Sequence, residues 1–379
     1  MAAALPLLLP SAAFAAVVGA PHAESVKLPV MPAVLAEGDP CTEASPRTVR
    51  AEPRYQRTLN LQQSWRFGRG SGVKVAVVDT GVATGTARLV GRVTPVSGDG
   101  DCVGHGSFLA GLVAAAPVSG TGFSGVAPQA RILAVRGTDQ RGTPTADTLA
   151  AGIRAAADAG AQVILVGPAL ARGSSGLTRA VEHAAKQDAL VVAAAAPQLK
   201  SGTSPGPAKD YWPAAQLGVL SVLGTAEDGS VPDDTAVPRR ADLAAPGSGV
   251  IGVGPRGKGH LIGNGSSLAA AFVAGAAALV RARYPDLSAA GTAERLVRNA
   301  YPADVPRMDV YAALSSSGSG RTDVAPPPAP ARMPSYEATE AAVRRGTLLA
   351  GAGAATTGAV AWAALAVRAR GRRSEDAAG

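Results

Sequence analysis

Five short runs of apolar residues alternate along the middle of the chain with longer, alanine-rich stretches. The apolar runs occupy residues 73–80, 130–137, 161–167, 189–196 and 218–225. The longer stretches have the length and patterning of helices and occupy residues 106–115, 145–159, 177–187 and 267–283. Strands that are apolar along their whole length are covered on both faces, and strands that alternate with helices pair in parallel. The sequence therefore predicts an α/β fold in which a mainly parallel sheet lies between layers of helices.

Composition excludes several classes of protein. Of the 379 residues, 47% are hydrophobic and 17% are charged, so the chain is not a disordered polyelectrolyte. Two cysteines are too few for a fold whose stability comes mainly from disulfides. The net charge of +8 is scattered, and aromatic residues make up 4% of the chain, whereas proteins that bind nucleic acids group basic residues beside stacking aromatics. We therefore expect no nucleic-acid partner.

The N-terminal segment is apolar. The first twenty residues carry no charge and are rich in leucine, alanine and valine. An apolar stretch that ends in small residues is typical of a secretory signal peptide, which we assign to residues 1–23. The stretch lacks the basic residues that usually begin such a peptide, so a buried N-terminal helix is the alternative. Residues 24–58 would form an N-terminal extension of an exported domain.

Residues 347–367 form a second uncharged segment, and a helix of this length crosses a hydrocarbon core of about 30 Å. The preceding residues, 315–346, have the proline-, serine- and glycine-rich composition of a linker. Arginines flank the segment at positions 344, 345, 368, 370, 372 and 373. The denser group follows the segment, so the positive-inside rule predicts a cytoplasmic tail over residues 368–379 and an extracytoplasmic domain. We therefore predict a single-pass protein of the cell membrane, with an alanine-rich core helix as the alternative for this segment.

The two cysteines, Cys41 and Cys102, form an even pair in a chain that is predicted to be exported. Cysteine pairs in exported domains are usually oxidised, and a bond here would join the segment before residue 60 to the globular domain. Two buried thiols are the alternative. The sequence has no CxxC motif and no cluster of histidine and cysteine, so we expect no structural zinc.

Three motifs place polar side chains at the end of a predicted strand or the start of a predicted helix. They are Val78-Asp79-Thr80-Gly81, Gly104-His105-Gly106-Ser107 and Asn264-Gly265-Ser266-Ser267-Leu268-Ala269. Each has an ordinary structural explanation, namely an aspartate in a turn, a structural histidine, and a serine (Ser266 or Ser267) that caps a helix. Active sites of parallel sheets nevertheless gather at the carboxyl ends of the strands, where the first motif lies.

Taken together, the three motifs have a shared chemical logic. A serine hydroxyl is a weak nucleophile that needs a base within hydrogen-bond reach, and the base needs a buried acid that orients it and stabilises its charged form. Asp79, His105 and Ser267 occur in the chain order of the subtilisin catalytic triad. We predict that Ser267 is the nucleophile, His105 its base and Asp79 the orienting acid.

The stretch from Leu59 to Leu314 resembles the subtilisin-like serine proteases of family S8. The segments VAVVDTGV, GHGSFLAGLVAA and GNGSSLAAAFVAG are similar to the three active-site motifs of that family, and residues 124–137, 211–216 and 243–250 match it as well. Residues 59–82, the linker and the single C-terminal helix resemble the mycosins, which are membrane-anchored proteases of type VII secretion systems. The resemblance implies a subtilisin-like three-layer fold and a peptide or protein substrate. It also implies a type VII secretion membrane complex as partner, and neither cofactor nor metal is expected.

The resemblance also bears on the cysteines. Cys102 stands three residues before His105, where mycosins have a cysteine that is bonded to an N-terminal extension, and Cys41 would be its partner.

The chain departs from the family pattern at two places in the predicted site. The family has an asparagine after the fourth core strand, which donates to the oxyanion. This chain has Pro197, which has neither a side-chain amide nor a backbone N–H, and Gln198 is a possible substitute. At the edge where a peptide substrate adds a strand, Gly167 and Pro168 replace family residues, and Pro168 removes one backbone donor.

Two functions are therefore compatible with the sequence. The intact triad favours a membrane-anchored extracytoplasmic serine endopeptidase, whose activity is weakened by the degenerate oxyanion site. The altered positions 168 and 197 favour a catalytically impaired pseudoprotease that serves as a structural subunit of the secretion machinery.

Overall fold

A computed structural model describes residues 27–199, 202–317 and 336–375. The predicted signal peptide and most of the predicted linker lie outside these ranges. The chain divides into two units, Met1–Gly320 and Arg321–Gly379. The first contains the sheet, and the second contains the C-terminal helix.

A seven-stranded sheet forms the centre of the first unit, and every neighbouring pair of strands in it is parallel. In chain order the strands are β1 (Lys74–Asp79), β2 (Val93–Ser97), β3 (Arg131–Arg136), β4 (Val163–Val166), β5 (Leu190–Ala194), β6 (Val219–Thr225) and β7 (Leu243–Pro246). Their order across the sheet is β2-β3-β1-β4-β5-β6-β7. The five predicted strands are confirmed as β1, β3, β4, β5 and β6. The edge strands β2 and β7 were not predicted; β2 is only partly buried, so it lacks the continuous apolar run that marks the inner strands.

Helices cover both faces of the sheet, so the predicted three-layer α/β fold is confirmed. The four predicted helices are α3 (His105–Ala114), α4 (Ala146–Asp158), α5 (Ser175–Lys186) and α6 (Ser266–Arg283). Shorter helices are α1 (Arg54–Thr58), α2 (Leu61–Ser64), α7 (Ala289–Arg298) and α8 (Val310–Ser315). Side chains alternate across a strand, so Val75 and Val77 of β1 pack with α3 and α6, whereas Ala76 and Val78 pack with α4 and α5.

An antiparallel hairpin leads into the central helix. Its strands are β8 (Val250–Val253) and β9 (His260–Gly263). Helix α6 follows within three residues of β9 and is buried along almost its whole length. A helix that is apolar on every side is expected in such a central position.

Part of the N-terminal extension, residues 27–52, lies against the globular domain. A disulfide between Cys41 and Cys102 confirms the predicted pairing and joins the extension to the loop before α3. Next to this crosslink, the backbone N–H of Thr42 donates to the carbonyl of Cys102 at 2.9 Å. Nearer the start of the extension, the N–H of Met31 donates to a carbonyl of β9 at 2.8 Å. The extension is therefore held against the domain at separate points.

The second unit contains helix α9 (Tyr336–Glu375), which includes the predicted apolar segment 347–367. Among the described residues, two helices are long and apolar enough to cross a membrane, namely Ser266–Arg283 and Val343–Ala366. The first is 83% buried and is the core helix α6, whereas none of the second is buried. The C-terminal segment is therefore a candidate membrane span.

The side chain of His260 is fully buried beneath the extension. Its Nδ1 accepts a hydrogen bond of 2.9 Å from the backbone N–H of Val49, and its Nε2 lies 3.4 Å from the guanidinium of Arg88. Arg88 also donates to the carbonyl of Phe123 and to the hydroxyl of Thr121. Burial and the charge of Arg88 lower the pKa of His260 to about 4. The imidazole is therefore neutral in the folded protein over most of the accessible pH range.

The burial of His260 makes the stability of the fold depend on pH. An unfolded histidine takes up a proton near pH 6.5, whereas His260 in the folded protein does so only near pH 4. Between these values the unfolded state binds more protons, so the free energy of unfolding falls as the pH is lowered, by about 3 kcal/mol at most. We expect His260→Gln to flatten this part of the profile, measured by urea unfolding between pH 4 and 8. His183→Gln, on the surface of α5, is the control, and equal slopes in both variants would contradict the prediction.

Candidate active site

The three residues of the predicted triad lie together at the carboxyl edge of the sheet. Asp79 is the last residue of β1, His105 is the first residue of α3, and Ser267 is the second residue of α6. The Oγ of Ser267 lies 3.2 Å from Nε2 of His105, and Nδ1 of His105 lies 2.8 Å from Oδ1 of Asp79. Both distances allow hydrogen bonds that link the hydroxyl to the carboxylate through the imidazole. The geometry is that of a nucleophile, a base and an orienting acid.

The carboxylate of Asp79 is buried, and the two donors that contact it share one of its oxygens. Oδ1 accepts hydrogen bonds from the backbone N–H of Thr80 and from His105, both at 2.8 Å. Oδ2 has no hydrogen-bond partner among the described residues. It lies against Gly167, where an added Cβ would be only 2.0 Å away from it. The absence of a side chain at position 167 is therefore what leaves room for the carboxylate.

The imidazole of His105 is held in a protein environment that stabilises its charged form. Burial of the ring lowers the pKa of His105, but the charge and hydrogen bond of Asp79 and the charge of Asp101 outweigh this effect, so the pKa is raised above its ordinary value. Gly106 brings the helix start close to β1, because a Cβ there would lie 2.0 Å from the carbonyl of Gly81. The two nearby carboxylates, Asp79 and Asp101, thus favour the imidazolium that forms when the ring accepts a proton.

Asp101 is a second buried carboxylate that the motifs did not identify. It accepts hydrogen bonds from the hydroxyl of Thr80, the backbone N–H of Gly104, and the N–H and hydroxyl of Ser107, at 2.7–2.8 Å. Burial raises the pKa of Asp101, and these four hydrogen bonds oppose the shift. The network joins the end of β1 to the first turn of α3, so it fixes the position of His105 at the start of that helix. The signal in the sequence is an aspartate directly before Cys102 and four residues before the histidine.

Ser267 faces the cleft at the start of α6. The residue before the helix is Gly265, with a φ of 132°, and neither serine acts as the cap. Instead, the hydroxyl of Ser266 accepts a hydrogen bond of 3.1 Å from the backbone N–H of Gly224, which ties the helix start to β6. The alternative in which Ser266 or Ser267 merely caps the helix is therefore wrong. The first-turn N–H groups of a helix lack intrahelical partners and favour negative charge beside Ser267.

A cleft of about 230 Å³ surrounds the triad. Its walls include the predicted positions Gly167, Pro168, Pro197 and Gln198. They also include three residues of the N-terminal extension that the sequence did not point to, namely Met31, Ala33 and Val34. No motif marks these three, because they reach the cleft only through the path of the extension across the domain.

The predicted oxyanion side of the cleft has no free side-chain donor at its two key positions. Pro197 lines the cleft, and its carbonyl accepts a hydrogen bond of 3.2 Å from the N–H of Ala236. The amide nitrogen of Gln198 donates to Oδ2 of Asp234 at 2.8 Å. Gln198 therefore lies at the cleft as predicted, but its donor is engaged with another residue.

The predicted substrate edge is partly used within the protein. The N–H of Gly167 donates to the carbonyl of Val78 at 3.3 Å, and Pro168 has no N–H. Two residues later, Leu170 exchanges two hydrogen bonds of 2.8 Å with the backbone of Trp212. An added peptide strand would find few free donors along this stretch.

Metal ligands are not grouped in the described part of the chain. Residues 27–199, 202–317 and 336–375 contain no cluster of three or more histidine, cysteine, aspartate or glutamate side chains that could hold an ion.

Comparisons with known proteins agree on one family. The sequence profile described as "Subtilase family" matches residues 70–333. Mycosin-4 of Mycobacterium tuberculosis is 32% identical, and the match covers 79% of this chain and 79% of that one. The structure described as "Structure of a serine protease MycP1, an essential component of the type VII (ESX-1) secretion system" is 27% identical, with a TM-score of 0.65, over 77% of this chain and 100% of that one. A chain of "Structure of an intact ESX-5 inner membrane complex" is 28% identical, with a TM-score of 0.65, over 88% and 99%.

The contact between Gly167 and Asp79 gives a test of the site. A methyl group in Gly167→Ala would approach Oδ2 of Asp79 to 2.0 Å and a methyl of Leu109 to 2.8 Å, so the carboxylate has to leave its present position beside His105. Displacement of a catalytic group by about 1 Å costs about 10²-fold in rate. We expect this loss in the rate at which a fluorophosphonate reacts with Ser267. Gly176→Ala, where an added Cβ has no neighbour closer than 3.6 Å, is the control. A Gly167→Ala variant that reacts as fast as this control would disprove the packing argument.

Proposed function

This chain belongs to the subtilase family and, within it, to the mycosins, and from that membership we propose that it is a serine endopeptidase acting on peptide or protein substrates. The observation that carries the proposal is the hydrogen-bonded path from Ser267 through His105 to Asp79, with distances of 3.2 and 2.8 Å. Such a path activates a serine hydroxyl, which is otherwise a weak nucleophile.

The reaction follows from this path. Oγ of Ser267 attacks the scissile carbonyl carbon while its proton passes to Nε2 of His105, and Asp79 stabilises the imidazolium. The carbonyl oxygen becomes an oxyanion, for which the backbone N–H of Ser267 at the start of α6 is a donor. Collapse of the tetrahedral intermediate breaks the C–N bond, and the leaving amine takes the proton from His105. Water then attacks the acyl-serine with His105 as base, which releases the carboxylic acid and regenerates the hydroxyl.

Catalysis is expected to be slow, because the oxyanion receives few donors. Removal of one side-chain donor from the oxyanion hole of the related enzyme subtilisin costs about 10²–10³-fold in turnover. Pro197 cannot donate, and the amide of Gln198 is bonded to Asp234. The residual rate would come from the triad and the backbone donor at Ser267.

The proposed location is the outer side of a membrane. Val343–Ala366 is a helical stretch that is long and apolar enough to cross a membrane, and the denser group of arginines follows it. By the positive-inside rule, the tail over residues 368–379 is cytoplasmic and the catalytic domain is extracytoplasmic. The disulfide between Cys41 and Cys102 fits an oxidising compartment.

The proposed partner is the membrane complex of a type VII secretion system. Two similar chains support this assignment, since one is described as a component of the ESX-1 secretion system and the other belongs to an ESX-5 inner membrane complex. A second candidate function is a structural subunit of that complex without catalytic activity. The observation that favours it is the lack of a free side-chain donor at Pro197 and Gln198.

A covalent probe separates the two functions. We expect a fluorophosphonate to label the full-length chain at Ser267 and to leave Ser267→Ala unlabelled. Because His105 reacts as the neutral base and its pKa is raised, the labelling rate should rise with pH through a midpoint above about 6.5. Labelling would be followed by mass spectrometry over a long incubation. A chain that stays unlabelled, together with a Ser267→Ala variant that restores secretion in a deletion strain, would establish the structural role instead.

A substitution at position 197 tests the origin of the slow rate. Pro197→Asn introduces a side-chain amide where the family has its oxyanion donor, and we expect the labelling rate to rise by about 10- to 100-fold. Pro205→Asn, in an exposed loop, is the matched control. Equal rates in the two variants would mean that the missing donor at position 197 does not limit the reaction.

A further inference from the structure

The carboxamide of Gln198 lies close to the catalytic serine. A Cβ built on Gly265, at the start of α6, would lie 3.5 Å from Oγ of Ser267 and 3.8 Å from Oε1 of Gln198. Both groups therefore face the same glycine, and both line the cleft. The side chain that follows Pro197 thus reaches the neighbourhood of the developing oxyanion.

The carboxamide of Gln198 turns its oxygen, and not its NH₂ group, toward the region beside Ser267. Its nitrogen donates to Oδ2 of Asp234 at 2.8 Å, and its oxygen is the atom near Gly265. A carboxylate only accepts hydrogen bonds, so the bond to Asp234 requires this orientation of the amide. A carbonyl oxygen cannot donate to an oxyanion and opposes negative charge beside Ser267.

Backbone hydrogen bonds keep Asp234 opposite Gln198. The N–H of Leu199 donates to the carbonyl of Asp234 at 2.6 Å, and the N–H of Ala236 donates to the carbonyl of Pro197 at 3.2 Å. Gln198 and the residue after Asp234 form an isolated antiparallel bridge. The carboxylate takes part in none of the ion pairs among the described residues, and its side-chain hydrogen bond there is the one from this amide.

We propose that Asp234 is a positioning residue that withholds the amide donor of Gln198 from the oxyanion of the catalytic site. When the bond to Asp234 is released, rotation of the carboxamide turns its NH₂ group toward Ser267 and supplies the donor that Pro197 lacks. The inference rests on the proposed protease function and concerns the rate of that reaction. It assigns the low activity to an orientation that a single contact controls, and not only to the loss of the family asparagine.

The test compares labelling rates in the full-length chain. We expect Asp234→Ala to react with a fluorophosphonate about 10- to 100-fold faster than wild type. This gain does not exceed the about 10²–10³-fold effect of one oxyanion-hole donor on turnover. In a Gln198→Ala background, the same substitution should give no gain, because the effect acts through the carboxamide. Asp233→Ala, at the exposed neighbouring carboxylate, controls for the change in charge.

The inference is overturned if Asp234→Ala does not raise the labelling rate, or if it raises the rate equally in the Gln198→Ala background. An activity-independent measurement accompanies these rates. In protein labelled with ¹⁵N-glutamine, the side-chain NH₂ signal that is missing from Gln198→Ala should shift in Asp234→Ala and stay in place in Asp233→Ala. A signal that is identical in wild type and Asp234→Ala contradicts the hydrogen bond and with it the inference.

The outcomes also separate this inference from the function on which it rests. If Pro197→Asn reacts faster than wild type and Asp234→Ala does not, the protease assignment stands and the role of Asp234 is wrong. If no variant reacts, the protease assignment fails, and the role of Asp234 in that reaction fails with it.

Discussion

The burial of one helix inside the domain is the constraint on which the rest of the structure depends. Helix α6 is apolar on every side and packs against both the sheet and α3, so its axis and its first residue have a fixed position. The hydroxyl of Ser266 ties that first turn to β6 through the N–H of Gly224. The buried helix therefore delivers Ser267 to the carboxyl edge of the sheet, where β1 ends in Asp79. Packing of apolar side chains is not directional, but it fixes the position of Ser267 because close-packed interiors tolerate little displacement.

Buried charge is the second requirement of the site. Asp79 and Asp101 are both nearly inaccessible to solvent, and a buried carboxylate is stable only when donors or positive charge compensate for lost hydration. Asp101 accepts four hydrogen bonds from the end of β1 and the start of α3, and these bonds offset the cost of burying its charge. They also fix the loop before His105. Asp79 instead leaves one oxygen against Gly167, and its stabilisation depends on His105 and Thr80. The charges of Asp79 and Asp101 also raise the pKa of His105.

The two sides of the cleft differ in how well they suit catalysis. On one side, His105 lies within hydrogen-bonding distance of both Ser267 and Asp79. On the other side, Pro197 has no donor and Gln198 gives its donor to Asp234. A slow protease and a structural subunit share this description, and they differ in whether the oxyanion can find a donor during the reaction. That question concerns the rotation of one side chain, so it does not alter the fold or the triad.

The sequence by itself predicted the inner strands, four of the helices and the three polar residues that meet at the sheet edge, because all of these leave local patterns. Continuous apolar runs predicted the inner strands, and each triad residue lies in a short motif next to a strand end or a helix start, where a parallel sheet gathers its polar groups. The tertiary structure decided what depends on contacts between distant segments. The wall formed by Met31, Ala33 and Val34, the packing of Gly167 on Asp79, and the bond between Gln198 and Asp234 have no local signature. Each arises where loops or an extension meet over the sheet, and such meetings are set by the packing of the whole domain rather than by the spacing of residues along the chain.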